Sequence, residues 1–254
     1  MARIISVITQ KGGVGKTTTV NALAATLNKL GRRVLAIDMD PQGNLSFSLG
    51  AETEDVRTIY DVVRKEMNAL DCIQRCNTSD VIPSDILLSS IELDYTGKNR
   101  EFLLREALGD VKNLYDYILI DSPPSLGVLT VNALAASKYV IMPMLPDIFS
   151  LQGIAKVYDV IEHVRLTCNP KLEIGGVLVN RYNKRSKLHK EVMGTAQLVS
   201  RKLSIPVFRT AIRNSPAISE AQSLQCDITE YNRRVAAIRD FKSLTEELIE
   251  RGIL

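Results

Sequence analysis

Residues 10 to 18 read Gln10-Lys11-Gly12-Gly13-Val14-Gly15-Lys16-Thr17-Thr18. Glycines at three of these positions let a backbone wrap closely, so that successive N–H groups and the start of a following helix point at anionic oxygens. Lys16 then supplies a point charge for the β- and γ-phosphates of a nucleotide, and Thr17 a hydroxyl for Mg²⁺. The usual G-x4-G-K-[ST] spacing asks for glycine at position 10, where this chain has Gln10, and a second lysine, Lys11, stands ahead of the first glycine. Three carboxylates complete the candidate chemistry. Asp38 and Asp40 lie in Ala36-Ile37-Asp38-Met39-Asp40-Pro41-Gln42-Gly43-Asn44, and Asp121 closes the apolar run Tyr117-Ile118-Leu119-Ile120. Ligands of open parallel sheets sit outside the carboxyl ends of the strands, so all three acids are expected beside the glycine-rich loop. Carboxylates placed there hold the hydration shell of a metal ion or orient an attacking water.

The elements that must position these groups are legible as alternating strands and helices. Arg3–Thr9 is apolar and β-branched, Thr17–Leu30 carries Val20, Leu23, Ala24, Leu27 and Leu30 at helical spacing, Gly31 stops it, and Arg33–Asp38 is the next strand. The pattern predicts further strands at Tyr117–Asp121, Tyr139–Pro143, Ile174–Asn180 and Pro206–Phe208. It predicts helices at Val128–Ser137, Ser150–Leu166, Leu188–Leu203 and Asn232–Arg251. Between Phe47 and Tyr115 the signals weaken to helical Thr58–Lys65 and Arg100–Leu108 and a strand at Val81–Ile82. Strands alternating with helices of this length make an α/β fold, a mostly parallel twisted sheet covered by helices on both faces, with right-handed crossovers. No linker rich in Pro, Gly or Ser and no internal repeat interrupts 1–254, which is read as a single domain.

Charge is distributed unevenly. From Arg181 to Arg213 nine cationic side chains face one acid, Glu191, so this segment is +8 on a chain whose net charge is only +3. Lys184, Arg185, Lys187 and Lys190 form its densest part and suit a polyanion such as the DNA backbone. The composition, 45% hydrophobic and 24% charged over 254 residues, excludes disorder as the main state. The apolar runs are far shorter than the ~20 residues of a membrane helix. With no signal-peptide pattern at the start, a cytoplasmic location is expected. Cys72, Cys76, Cys168 and Cys226 are scattered, and His163 and His189 are not spaced to complete a zinc site with them.

Taken together, Lys11–Thr18, Asp38-x-Asp40-Pro41-Gln42-Gly43-Asn44, Asp121-Ser122-Pro123-Pro124-Ser125-Leu126-Gly127, Leu129–Leu134 and Ser219-Glu220-Ala221 resemble the ParA/Soj family of DNA-partitioning ATPases, which are P-loop NTPases of the deviant Walker A type. The resemblance runs along nearly the whole chain. It implies an ATP- and Mg²⁺-dependent homodimer that binds double-stranded DNA without sequence preference, associates with the nucleoid, and hydrolyses ATP slowly until a ParB-like partner stimulates it. In that scheme Lys11 reaches the phosphates bound to the opposite subunit. Gly12, Gly13, Val14, Gly15, Lys16, Thr17 and Thr18 hold the nucleotide. Asp40 positions the attacking water, Asp38 belongs to the same switch, and Asp121, through water, joins Thr17 at the metal. Asn180 matches the position whose amide reads the base edge. Arg213 stands beside that base-binding region where the family usually has proline, and Arg185 aligns with an arginine used for DNA backbone contact.

Other functions leave different residues. A MinD-like membrane ATPase needs a basic, bulky amphipathic anchor, whereas Phe241–Leu254 carries three glutamates and reads as a helix packed on the core, so no membrane partner is expected. An iron–sulfur electron-transfer ATPase needs cysteine where Ser122 stands. A relative that positions a protein cargo keeps the same ATPase chemistry, so plasmid, chromosome and protein cargo remain open.

Overall fold

The computed structural model describes residues 1–91, 97, 99–232 and 234–254. Strands β1 (Arg3–Val7), β2 (Val34–Asp38), β3 (Gln74–Arg75), β4 (Asp80–Ile82), β5 (Tyr117–Asp121), β6 (Tyr139–Met144) and β7 (Glu173–Val179) form one sheet in the order β3-β4-β2-β5-β1-β6-β7. Every pairing is parallel except that of the edge strand β3 with β4. The buried strands are near-continuous apolar runs because each face is covered.

Successive side chains of β1 show the division. Ile4 joins Leu35, Ile37, Ile118 and Ile120 in a core on one face, whereas Ile5 and Val7 join Val34, Ala36 and Leu119 in a core on the other. Helices α5 (Val128–Ala136) and α6 (Ile148–Thr167) cover the first face. The second is covered by α1 (Lys16–Lys29), and α10 (Ala236–Glu250) packs against α1 through Ala237, Phe241, Leu244 and Leu248. Buried between sheet and α10, α1 needs apolar or small residues nearly all round. It ends as expected at Gly31, whose φ of +73° and whose N–H bond to the Asn28 carbonyl close the last turn.

The remaining helices are the 17-residue α7 (Lys187–Leu203) and the short α2 (Asn44–Leu49), α3 (Ile59–Val63), α4 (Leu103–Ala107), α8 (Pro216–Ser223) and α9 (Ile228–Tyr231). Four expectations need adjustment. Pro206–Phe208 forms only an isolated bridge, Val207 to Val177, since Pro206 has no N–H to extend a ladder. The terminal helix begins at Ala236, not Asn232, and residue 233 of the expected span lies outside the described residues. Arg100–Leu108 divides into a 3₁₀ turn, Arg100–Phe102, and α4. Helix α6 starts two residues early because the Asp147 side chain accepts the Ser150 N–H and caps it.

The packing of α10 on α1 generates a stability test. Leu244 is fully buried there, so Leu244→Ala should cost about 2–5 kcal/mol. Lys242→Ala on the exposed face should stay within about 0.5 kcal/mol. The difference is read as a drop in urea midpoint at constant slope.

Candidate nucleotide site

The glycine-rich loop leaves β1 and enters α1, and its glycines are used for space as well as conformation. Gly13 and Gly15 have φ of +71° and +93°. A Cβ at Gly15 would also lie 2.7 Å from Asn180 Nδ2, so only glycine fits. Asn180, just past β7, donates that same amide to the Val14 carbonyl at 2.8 Å. The loop is thereby tied to a strand 166 residues away. Asn180 Oδ1 is buried with no partner, in a narrow cleft of about 60 Å³ also lined by Val14, Ile212, Ser215 and Phe241. An acceptor of this kind suits the exocyclic amine of adenine.

In front of the loop opens a cavity of about 520 Å³, lined by Gly12, Gly15, Lys16, Thr17, Thr18 and Asp40 and closed by Pro124, Arg181, Ser219 and Gln222. The acids arrive by register. Asp38 lies directly opposite Asp121 in the β2–β5 pair, and Val7 lies opposite Asp121 in the β1–β5 pair. The ends of β1, β2 and β5 therefore bring loop and carboxylates to one edge, as expected for an open parallel sheet.

Each carboxylate is held differently. Thr17 Oγ1 donates to Asp121 Oδ2 at 2.6 Å, while Asp121 Oδ1 is buried with no partner. Burial, and then the neighbouring Asp38 charge, raise the Asp121 pKa well above the carboxylate range against the Thr17 bond and Lys16. Asp38, fully buried, accepts from the Ser46 N–H (2.8 Å), the Ser46 hydroxyl (2.7 Å) and the Asp40 N–H (3.1 Å). Its pKa is pushed up to about 6, chiefly by burial, which these hydrogen bonds only partly offset. Asp40 lines the cavity, and its Oδ1 accepts the Gln42 N–H at 3.1 Å. Lys16 is 7% exposed, and burial lowers its pKa against the opposing pull of Asp121 and Asp40.

Three buried carboxylates around one lysine leave the site short of positive charge. The donor set fits a hydrated Mg²⁺: the Thr17 hydroxyl and the unpartnered Asp121 oxygen are hard oxygen ligands. The cavity at the α1 N-terminus fits the phosphates, and Lys16 and the loop amides can neutralise them.

Not every expected residue stands in the cavity. Asp38, expected among the catalytic groups, does not line it. Its oxygens are spent on Ser46 and Asp40, so it positions the start of α2 and the Asp40 turn. Arg213 lines the cleft beside Asn180, yet its guanidinium is committed to Asp240, Nε to Oδ2 at 2.8 Å and Nη2 to Oδ1 at 2.5 Å. It clasps α10 and is not a free donor to a base. Lys11 lies outside the cavity, with Nζ 2.8 Å from Asp147 Oδ2. Lys184 and Arg185, just before α7, and Lys187 and Lys190, in its first turn, are exposed, do not line the cavity and make no ion pair among the described residues.

Sequence reasoning missed Asp147 and Gln222, and it named Ser219 only within the family motif and Arg181 only within the basic segment, without placing either at the cavity. Thr18 Oγ1 donates to Gln222 Oε1 at 3.1 Å, a contact no local pattern announces. Arg181 borders both cavities with a left-handed φ of +54°, held because Asn180 is hydrogen-bonded to Met144 and Tyr182 to Ile212.

Comparison with known proteins agrees with this geometry. A family model described as an AAA domain matches residues 2–174. The chromosome partitioning protein ParA of Caulobacter vibrioides is 38% identical over 255 residues, covering 98% of this chain and 94% of ParA. The sporulation initiation inhibitor protein Soj of Bacillus subtilis is 37% identical over 256 residues, covering 99% of this chain and all of Soj. The crystal structure of cobyrinic acid a,c-diamide synthase from Mycobacterium smegmatis, with bound ATP analog and magnesium, superposes with a TM-score of 0.86 at 29% identity, covering 99% of this chain and 96% of that one. Similarity that spans both chains end to end, on a sheet whose register gathers the glycine-rich loop and its carboxylates, places this chain in the ParA/Soj family of partitioning ATPases.

Proposed function

We propose that the chain is an ATP-dependent DNA-partitioning ATPase. ATP with Mg²⁺ joins two copies into a sandwich dimer, the dimer holds duplex DNA without reading its sequence, and a ParB-like partner stimulates slow hydrolysis that releases it. The observation carrying this reading is the Thr17–Asp121 pair at 2.6 Å beside buried Lys16, at the head of the cavity in front of α1. The similarity to ParA and Soj and to an enzyme crystallised with an ATP analog and magnesium supports it.

Thr17 and, through water, Asp121 would hold Mg²⁺, which would supply positive charge to offset that on the phosphates. Lys16 and the amides of Gly12 to Thr18 bind the phosphates, and Asn180 Oδ1 accepts from the base. Asp40 orients the attacking water, its carboxylate steadied by the Gln42 N–H and its backbone by Asp38.

Lys11 has a separate task. Facing polyphosphates repel unless cations lie between them, and Lys11 is the cation placed to cross into the opposite subunit. Its bond to Asp147 must break for that. Both side chains are about one-third exposed, so the bond is worth at most ~1 kcal/mol and is no barrier to dimerisation. DNA is held by the start of α7. Ser186 caps that helix by accepting the His189 N–H, and Lys187 and Lys190 fall in its first turn. Cations there repel the positive helix end, so they cost the helix a few tenths of a kcal/mol and raise the local potential for a polyanion.

Three variants test these roles. Asp40→Ala should keep ATP-dependent dimerisation by light scattering and lose phosphate release; normal turnover would remove Asp40 from the chemistry. Lys11→Ala should bind ATP as a monomer with near wild-type affinity and fail to dimerise, and an unchanged dimer would reject the cross-subunit role. Arg185→Glu should leave dimerisation intact and lower the slope of log affinity for DNA against log salt by about 1, equally on two unrelated duplexes. Equal affinity of variant and wild type would reject the α7 surface.

A further inference from the structure

A second cavity lies at the opposite edge of the sheet, where the strands begin. It measures about 540 Å³, comparable to the cavity before the glycine-rich loop, and no residue lines both. Its apolar lining comes from Ala2, Ile4, Ala135, Ala136 and Leu172, and around it stand Arg105, Lys112, Lys138 and Lys171. Glu173 is its one acid and is exposed. None of the four cations makes an ion pair among the described residues, although Arg33, Arg165, Arg209, Arg213 and Arg251 all do. Outside Arg181–Arg213 the chain carries a net negative charge, so this grouping runs against its surroundings.

The walls are fixed by the sheet. Ala2 N–H donates to the Lys112 carbonyl, Lys138 N–H to Ile4, Glu173 N–H to Lys138, and Leu172 N–H to Asn169. Two of the cations also serve the fold: Arg105 Nη1 donates to the Cys168 carbonyl at the end of α6 at 3.1 Å, and Lys112 Nζ donates to the Arg105 carbonyl at 3.2 Å. At the end of α5 the Leu134 and Ser137 carbonyls accept from Asn169 Nδ2 at 2.9 and 2.7 Å, so among the described residues Lys138 and Lys171 have no helix-end carbonyl to offset. Lys138 meets only the ring of its neighbour Tyr139, and Lys171 is exposed. Burial, and then the Arg105 charge, depress the Lys112 pKa, a repulsion that an anion in the cavity would relieve.

We propose that this cavity is a second binding site, for a small organic anion with an apolar body and a phosphate or carboxylate head. The apolar lining takes the body, and Lys112, Lys138 and Lys171 take the head. It is separate from the nucleotide site, and the proposal does not depend on how that site is used.

Phenyl phosphate is a probe of this chemistry. In ¹⁵N-labelled protein titrated at millimolar concentration, with and without ADP–Mg²⁺, amide shifts are expected at Ala136, Lys138 and Leu172 that ADP does not abolish. The Lys138→Glu/Lys171→Glu double variant alters two exposed side chains and should weaken binding at least about fivefold while leaving ADP affinity unchanged. Inorganic phosphate and phenol, the two halves of the probe, should both bind more weakly than phenyl phosphate. Shifts confined to Gly12–Thr18 and erased by ADP, equal binding by the double variant, or equal binding of phenol would each overturn the proposal.

Discussion

The structure turns on two carboxylates forced side by side. Parallel pairing of β2 with β5 sets Asp38 against Asp121, both fully buried, with Asp40 two residues away and one lysine among them. Burial opposes the charge of Asp38, Asp121 and Lys16, and the two buried aspartates oppose each other. The chain offsets part of that cost with hydrogen bonds. Ser46 donates twice to Asp38 from the first turn of α2, and Thr17 donates to Asp121 from the first turn of α1. Because the Asp38 pKa is raised in the folded protein to about 6, its ionisation weakens the fold. Stability therefore rises as pH falls from about 6 toward the ordinary carboxylate value, where the folded protein takes up the proton first. A divalent cation held by Thr17 and Asp121 would offset the same charge, which would couple metal binding to local order.

The constraint spreads through contacts of long sequence separation. Asn180 fastens the glycine-rich loop to the end of β7 and leaves no space for a side chain at Gly15. Gln222 of α8 meets Thr18, and Asp240 of α10 clasps Arg213 beside the base cleft. The glycine-rich loop and the first turn of α1 are thus tied to two elements of the last third of the chain, the end of β7 and α8. The terminal helix cannot serve as a membrane anchor while Ala237, Phe241, Leu244 and Leu248 are spent on α1.

Around the cavity the surface is prepared for association. Beside the Lys11–Asp147 pair, Ile148 and Phe149 are 63% and 70% exposed at the start of α6, an apolar edge next to the cation that the proposed dimer would use. The basic start of α7 keeps its charges unpaired, its loop shaped by the Asn183 N–H bond to His189 Nδ1 and by the Tyr182–His189 ring contact. Cations paired internally lose affinity for a polyanion, and these make no ion pair among the described residues.

Much of this was legible in the chain. Strand and helix periodicity located β1, β2, β5, β6, β7 and helices α1, α5, α6 and α7 to within a few residues, because buried parallel strands must be apolar and helices must present a stripe, whereas the short α2 went unpredicted. The glycines, lysines and threonines of residues 11–18 and the acids ending β2 and β5 declared phosphate and metal chemistry because that chemistry needs those groups at strand ends. What the linear order could not contain was which groups meet. That Asp38 supports Asp40, that Arg213 is consumed by Asp240, that Lys11 rests on Asp147 and that Asn180 governs Gly15 are decided by contacts across 2 to 166 residues of chain. The second basic cavity likewise exists only where the sheet gathers segments from residues 1 to 173. The amino-acid sequence by itself determined the kinds of chemistry and the layers that carry them, since both follow from residue type and period. Only the tertiary structure decided which side chains are free to act, since a hydrogen bond or an ion pair depends on distance in space, which local pattern does not encode.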